Sequence, residues 1–384
     1  MYFHQVVGQG AIKQRLIQSV RDNRVSHAQL FFGPEGSGNM ALALAYAQYV
    51  NCTNPGPEDS CGECPSCHKF DKLAHPDLHF IFPVARTEDV DSKPKSIDFM
   101  KDWRSFLPKN DYYICLNDWY QEIGIEKKQG LISVHDASEI LKALSYKSYE
   151  AKYQIIIIWL PEKMNIQAAN KILKILEEPP AGNLFLLVSE NLEPILPTVL
   201  SRTQIIRVPR LKNDALTAFL TRANQYPDTK IQEAVRYADG NYLAARRFLQ
   251  DSEDENDFSS KFRDWMLACY FYPPGTGKPE KFQEVLRIST ELSQLIREKQ
   301  KNFLTHSLNI IREAFILHQN LPVVGGNPNP GQDFIQKFRN FLPPEQAIQM
   351  ASELNKAIYH IERNAHGGIL FFDLSLRFCK ALVR

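Results

Sequence analysis

Gly33-Pro34-Glu35-Gly36-Ser37-Gly38-Asn39-Met40 follows the apolar run Leu30-Phe31-Phe32 and leads into Ala41-Leu42-Ala43-Leu44-Ala45-Tyr46-Ala47. A strand, a glycine-rich turn and a helix in that order outline a phosphate loop, G-x-x-x-x-G-K-[ST], and predict an α/β core. In a working loop, backbone N–H groups cradle the phosphates, a lysine reaches the outer ones and a hydroxyl holds magnesium. Gly33 and Gly38 stand at the right spacing, with Gly36 between them. The lysine position holds uncharged Asn39, and the hydroxyl position holds Met40, whose thioether is a poor ligand for a hard cation. Backbone amides and the helix N-terminus still offer phosphate a place. Passive binding of ATP or ADP therefore stays open, while hydrolysis is not expected. The competing reading is a tight strand-to-helix turn closed by glycines, with no ligand.

Further along, Tyr153-Gln154-Ile155-Ile156-Ile157-Ile158-Trp159-Leu160 reads as a buried parallel strand. A nucleotide-hydrolysing core carries an acidic pair at the end of such a strand, to hold magnesium and polarise water. Those places hold Trp159 and Leu160, and the next acid, Glu162, follows Pro161 in a turn. Residues 11–22 and the stretch from Val134 through Ile140, Leu141 and Leu144 have helical apolar spacing, as do residues 165–176, which Glu177-Glu178-Pro179-Pro180 stops. Residues 183–189 and 205–208 read as further strands. His27, at a helix-to-strand junction, reads as structural.

Cys52, Cys61, Cys64 and Cys67 make two overlapping C-x-x-C steps with a fourth thiol nine residues upstream. Four thiolates that close in sequence are the ligand set of a closed tetrahedral structural zinc site, with no open position for catalysis. The turn-rich residues 53–60 let the chain fold back. A redox C-x-x-C is the alternative, and His68 is left out because four thiols suffice. Cys115, Cys269 and Cys379 are scattered singly among apolar or aromatic neighbours, as buried free thiols are.

A length of 384 residues predicts two or three domains. With 45 basic and 44 acidic side chains, the net charge of +1 exerts no global pull toward nucleic acid or membrane. No run approaches the length of a membrane span, and Met1-Tyr2-Phe3-His4-Gln5 lacks the basic and apolar regions of a signal peptide, so a cytoplasmic protein is expected. Residues 82–130 mix acids, bases and prolines with Trp103, Phe106, Tyr112, Tyr113, Trp119 and Tyr120. They read as a small packed insertion; base stacking on these rings is the alternative. Residues 211–249 read as a small helical region, and the acidic run 251–257 as a linker. Beyond it lie long helical patterns, 282–309 and 346–362, interrupted by a Pro- and Gly-rich loop at 321–331.

The order of elements resembles the AAA+ clamp-loader subunits of bacterial DNA polymerase III. The resemblance is carried by Val7-Gly8-Gln9, His27-Ala28, the 33–38 loop, the four cysteines, Lys163-Met164-Asn165, Leu176-Glu177-Glu178-Pro179-Pro180 and Leu200-Ser201-Arg202. It is strong over residues 1–208 and rests on domain order beyond. It implies a RecA-like parallel-sheet AAA+ core at 1–208 carrying the zinc module (52–67) and the insertion, a helical lid at 209–250, and an all-α collar at 258–384 through which five subunits form a ring. Within the family the match is closest to the stationary member, whose own site does not turn over ATP. Ser201-Arg202 falls on the motif whose arginine reaches a neighbour's ATP, which implies that Arg202 acts catalytically in trans; Thr203 replaces the family's usual cysteine but leaves the guanidinium in place. In the lid, Leu243 stands where active members keep a nucleotide-sensing arginine. The implied partners are the gamma/tau motor subunits and the delta subunit in the ring, the sliding clamp, and primed DNA through the complex, with no membrane. The implied role is a non-hydrolysing subunit of a DNA-directed DNA polymerase holoenzyme that helps load the clamp. Two other readings compete with it: an autonomous ATPase with a variant loop, and a stand-alone zinc-dependent DNA-binding protein.

Overall fold

Five apolar runs become strands: Ala28–Phe32 (β1), Leu78–Ile81 (β2), Gln154–Trp159 (β3), Asn183–Ser189 (β4) and Gln204–Arg207 (β5). In the computed structural model, which describes all residues except 91, 127, 145–147, 224, 251, 273–278, 296, 319–331, 364 and 383–384, they pair in parallel in the order β2-β3-β4-β1-β5. Every residue of β3 and β4 is buried, as continuous apolar runs in a sheet covered on both faces must be. Alternation along β3 divides its isoleucines between two cores. Ile155 and Ile157 join the core built around the helix Asn39–Val50. Ile156 and Ile158 join Ile140, Ile172 and Val199 on the other face.

The helix Asn39–Val50 is buried along its whole length, the state expected of a helix that is apolar all round. On the other face lie Val134–Leu144 and Ile166–Glu177. The second of these is started by Asn165, whose Oδ1 accepts from Ala168 N at 2.8 Å. β2 carries no strong sequence mark, since it is four residues long and includes His79; its pairing with β3 creates it.

Residues 82–130 pack rather than project. Trp103 lies 4.1 Å from Phe82, 5.0 Å from Trp119 and 5.3 Å from Trp159 between ring centroids. Trp103, Phe106, Tyr113, Trp119 and Tyr120 are all buried, which removes them as base-stacking surfaces. Three further helices, Asn213–Ala223, Asp228–Ala238 and Tyr242–Gln250, belong with the sheet to one compact unit, Met1–Gln250.

The second unit, Asp251–Arg384, is helical among its described residues. In place of the linker expected at 251–257, the helix Ser252–Phe271 begins. The single pattern expected at 282–309 is two helices, Pro279–Gln294 and Arg297–His318. The buried Gln300 marks the break by donating to the carbonyls of Ser293 (2.8 Å) and Leu295 (2.9 Å), which an unbroken helix would have satisfied itself. The pattern at 346–362 is the helix Pro344–Glu362, and the 321–331 loop lies outside the described residues. The core centres on Trp265, whose indole N–H donates to Ser375 Oγ at 2.7 Å.

His306, 3.0 Å from Ser259 Oγ, is pushed down to about 4 by burial. The unfolded chain, with a histidine pKa near the ordinary 6.5, then binds the proton better than the folded one. This unit should hold its full stability above about pH 6.5 and lose roughly 2 kcal/mol by pH 5 through this group alone. Denaturant unfolding of the second-unit helices at both pH values, in the wild type and in His306→Gln, checks it: the substitution should flatten the pH dependence.

Candidate functional site

The 33–38 loop follows β1 at the carboxyl end of the sheet, where open α/β sheets place ligands. Gly36 and Gly38 have φ of 74° and 94°, the left-handed region open to glycine. The departures from a working loop have structural uses. Asn39 folds back rather than reaching out: its Nδ2 donates to Gly33 O at 2.7 Å, and its Oδ1 lies 2.9 Å from Ser37 Oγ, which donates to Pro34 O at 2.6 Å. Its amide thus ties the loop to itself. Met40 is buried in the core beneath.

The space above the loop is filled by the chain. The cavity there measures about 20 Å³ and is lined by Glu35, Asn39, Met40, Tyr112, Tyr113 and Trp159, among others. That is room for about one water, against the roughly 300–1,000 Å³ of a small-molecule site. Glu35 and Glu190 also line it, and the lining contains no lysine or arginine. A phosphate chain would meet carboxylates there.

Tyr113 lies directly over Gly38, where a Cβ would come within 3.2 Å of its ring, and its hydroxyl accepts from Val7 N at 2.9 Å. From the other side the Tyr242 ring packs against it, tilted by 45° at 4.4 Å between centroids; Tyr242 donates through its hydroxyl to Asp111 Oδ2 at 2.7 Å and through its backbone N–H to Gly36 O at 3.1 Å. A Cβ on Gly36 would run into the Asn241 amide. Burial pushes both phenols well above their usual range, and the Asp111 charge adds to this at Tyr242. Both are neutral at physiological pH. Trp159, in the place of the first acid, packs against Trp103, and Leu160 is buried beside it. Glu162 does not line the cavity. It accepts from Glu190 N (3.0 Å) and Asn191 N (3.2 Å), capping the turn after β4, and burial raises its carboxyl pKa against those bonds. Leu243 is buried in the core of the unit.

Arg202 stands apart from this cavity, on the turn between the helix Pro197–Leu200 and β5. It is about one-third exposed. Its Nη2 lies 2.8 Å from Glu177 Oε1, and its Nη1 donates to Thr198 O at 3.0 Å and toward Ser201 Oγ at 3.3 Å. Glu177 belongs to the sequence that stops the helix Ile166–Glu177; nothing in the spacing of the two residues marks them as partners.

The four cysteines converge. Their sulfurs all lie within 4.8 Å of one another, with Cys52 and Cys61 3.5 Å apart and Cys61 and Cys67 4.0 Å apart. A tetrahedral ion with Zn–S bonds of about 2.3 Å requires sulfurs about 3.8 Å apart. Backbone N–H groups of Cys61, Cys64 and Cys67 donate to the sulfurs of Cys52, Cys61 and Cys64 at 3.3–3.4 Å. Amides directed at sulfur favour the thiolate form, which is the metal-binding form. The donor set therefore fits a metal ion such as zinc, and Cys64, Cys67 and the helix Pro65–Asp71 that begins between them set the geometry. The intervening loop is a clasp: Asp59 accepts from Phe3 N (3.0 Å) and His4 N (2.9 Å), Gly56 O accepts from Tyr49 Oη (3.2 Å), and Pro57 O accepts from Arg21 Nη2 (2.6 Å).

Gly36, Gly38, Asn39, Met40 and Trp159 thus share one small cavity, with Gly33 held to it through the Asn39 amide; the cysteines form a second centre, and Arg202 belongs to neither. Sequence reasoning missed Asp111 and Tyr242 at the loop, read Tyr112 and Tyr113 only as aromatics of the insertion, and read Glu177 only as part of a helix stop.

The family described as DNA polymerase III, delta subunit, matches residues 8–212. A DNA polymerase III subunit delta' from Pseudomonas aeruginosa is 27% identical over 58% of this chain and 55% of its own length. A subunit of the same name from Bacillus subtilis is 26% identical over 54% of this chain and 50% of its own. The DNA polymerase III subunit tau of Bacillus subtilis is 22% identical over 98% of this chain and 61% of its own. The matches thus span about half to three-fifths of the length of these curated relatives.

Proposed function

The chain belongs to the DNA polymerase III clamp-loader family, by its match to the family described as DNA polymerase III, delta subunit, and from that membership we propose that it is the non-hydrolysing delta-prime subunit of the clamp loader. Gamma/tau relatives match as well, so the choice within the family rests on the nucleotide site. The observation that carries it is the 33–40 loop, which has Asn39 in the lysine position and Met40 in the hydroxyl position and sits under a cavity of about 20 Å³. Trp159 and Leu160 in place of an acidic pair, and buried Leu243 in place of a sensing arginine, support the same reading.

In this role the chain contributes shape and one outward group. Residues 1–208 form the AAA+ core, 209–250 the lid and 258–384 the collar that joins it to gamma/tau and delta in a five-membered ring in the cytoplasm. The ring opens the sliding clamp and places it on primed DNA. Arg202 serves a neighbour's ATP, a task suited to a permanently charged, planar guanidinium. Cys52, Cys61, Cys64 and Cys67 hold a structural zinc, which fixes the clasp loop and performs no step of the reaction.

Two assays test the role. The purified chain should show no Mg·ATP turnover above background. Added to motor and delta subunits with clamp and primed DNA, it should complete clamp loading. Turnover by the chain alone that a Gly38→Ala substitution abolishes, or loading that proceeds equally well without the chain, would overturn it.

A further inference from the structure

We propose that the turn Asp111-Tyr112-Tyr113 is a built-in substitute for nucleotide: it occupies the space above the 33–38 loop and fastens the three-helix region 213–250 to the sheet core, the bridging task that a bound ligand would otherwise perform. The inference concerns the Met1–Gln250 unit alone and does not depend on the chain's place in an assembly.

Backbone conformation is the first observation. The helix Met100–Lys109 ends with Asn110 as its cap, and the next two residues, Asp111 and Tyr112, both adopt left-handed φ values, 53° and 63°. Neither is glycine, and a tyrosine there is disfavoured on steric grounds. Such conformations persist where the surroundings determine them. Backbone bonds from Tyr112 N to Leu107 O (2.9 Å) and from Tyr113 N to Asn110 O (2.9 Å) hold the turn. Its effect is to send Tyr113 over Gly38 and to leave Asp111 facing Tyr242.

The second observation is the number of bonds that converge on this segment from both sides. From the core, Val7 N donates to the Tyr113 hydroxyl. From the last helix of the unit, Tyr242 donates to Asp111, Arg246 Nη2 donates to Asn110 Oδ1 at 2.8 Å, and Arg247 Nη2 donates to Asp118 Oδ1 at 2.9 Å. Three successive polar contacts along Tyr242–Gln250 thus end on the insertion. One backbone bond, from Tyr242 N to Gly36 O, reaches the loop directly.

The third is chemical. The side-chain contacts at the loop are already used or are of the wrong sign: the Asn39 amide is closed on Gly33, Tyr113 covers Gly38, and Glu35 and Glu190 line the remaining space. The three-helix region should therefore be held in place without nucleotide and be indifferent to it.

Amide hydrogen exchange of the full chain tests both halves of the proposal. In the wild type, millimolar Mg·ATP should leave exchange in the 33–38 loop and in Tyr242–Gln250 unchanged; protection induced there by nucleotide would overturn the inference. Tyr242→Phe keeps the ring and removes its donation to Asp111, and Arg246→Ala removes the link to Asn110. Each should raise exchange in Tyr242–Gln250 on the order of tenfold, the size expected for losing a bond with one charged partner, while exchange in β3 and β4 stays as in the wild type. Unchanged exchange in Tyr242–Gln250 in both variants would show that the turn fastens nothing. Because the assay contains this chain alone, failure of clamp loading would not affect its outcome.

Discussion

Removing the metal proposed for the four-cysteine centre, or replacing Cys61 with serine, is expected to lower the melting temperature of the Met1–Gln250 unit by roughly 10 °C, equivalent to about 3–4 kcal/mol for a unit of this size. Structural zinc supplies about 10–16 kcal/mol of apparent folding free energy where a small domain has little else. The loss here is smaller because the sheet and its two apolar cores do not depend on the metal. It is still large because the clasp loop reaches well beyond the cysteines. Asp59 holds the amides of Phe3 and His4, and Pro57 holds Arg21. Without a metal, four thiols with sulfurs 3.5–4.8 Å apart lose the charge that keeps them together. Thermal unfolding before and after chelation, with metal content measured by mass spectrometry, gives the answer, and hydrogen exchange should locate the loss first at Phe3 and His4. An unchanged melting temperature in protein shown to be free of metal would remove the centre from the folding account.

The second large effect is expected at Arg202. Arginine fingers contribute on the order of 10³ to 10⁵ to the rate of the site they serve, through a charge that a lysine supplies only as a point and without the fork. In this chain the guanidinium is held by Glu177, Thr198 and Ser201. The carbonyl and hydroxyl contacts use Nη1, so a neighbour's phosphate must draw on Nε and Nη2 and compete with the Glu177 carboxylate. Both partners of that pair are partly exposed, where solvent screening leaves ion pairs a small contribution. The exchange of carboxylate for phosphate therefore costs little. Arg202→Lys should be nearly as damaging as Arg202→Ala, while Glu177→Gln should leave hydrolysis close to the wild type.

What could be read from the sequence were features whose physics is local. The glycine spacing, the isoleucine run of β3 and the cysteine pairs each constrain neighbours within a few residues. The asparagine, methionine and tryptophan in place of lysine, hydroxyl and acid are substitutions at fixed positions and need no fold to be noticed. Tyr113 over Gly38 is different, because 75 positions separate them and the contact depends on two left-handed residues without a glycine to announce them. The partnership of Glu177 with Arg202 is set by how a helix end and a later turn pack. β2, with His79 in its middle, is recognisable only beside β3. The acidic 251–257 run misled because charge density alone does not separate a linker from a helix start.

The most direct measurement is clamp- and primer-stimulated ATP hydrolysis by motor subunits assembled with this chain, comparing the wild type with Arg202→Ala in assemblies verified by gel filtration. The account predicts a fall of about tenfold or more with assembly intact. Equal hydrolysis in a verified assembly would contradict it, and would leave the chain without a catalytic part in the complex.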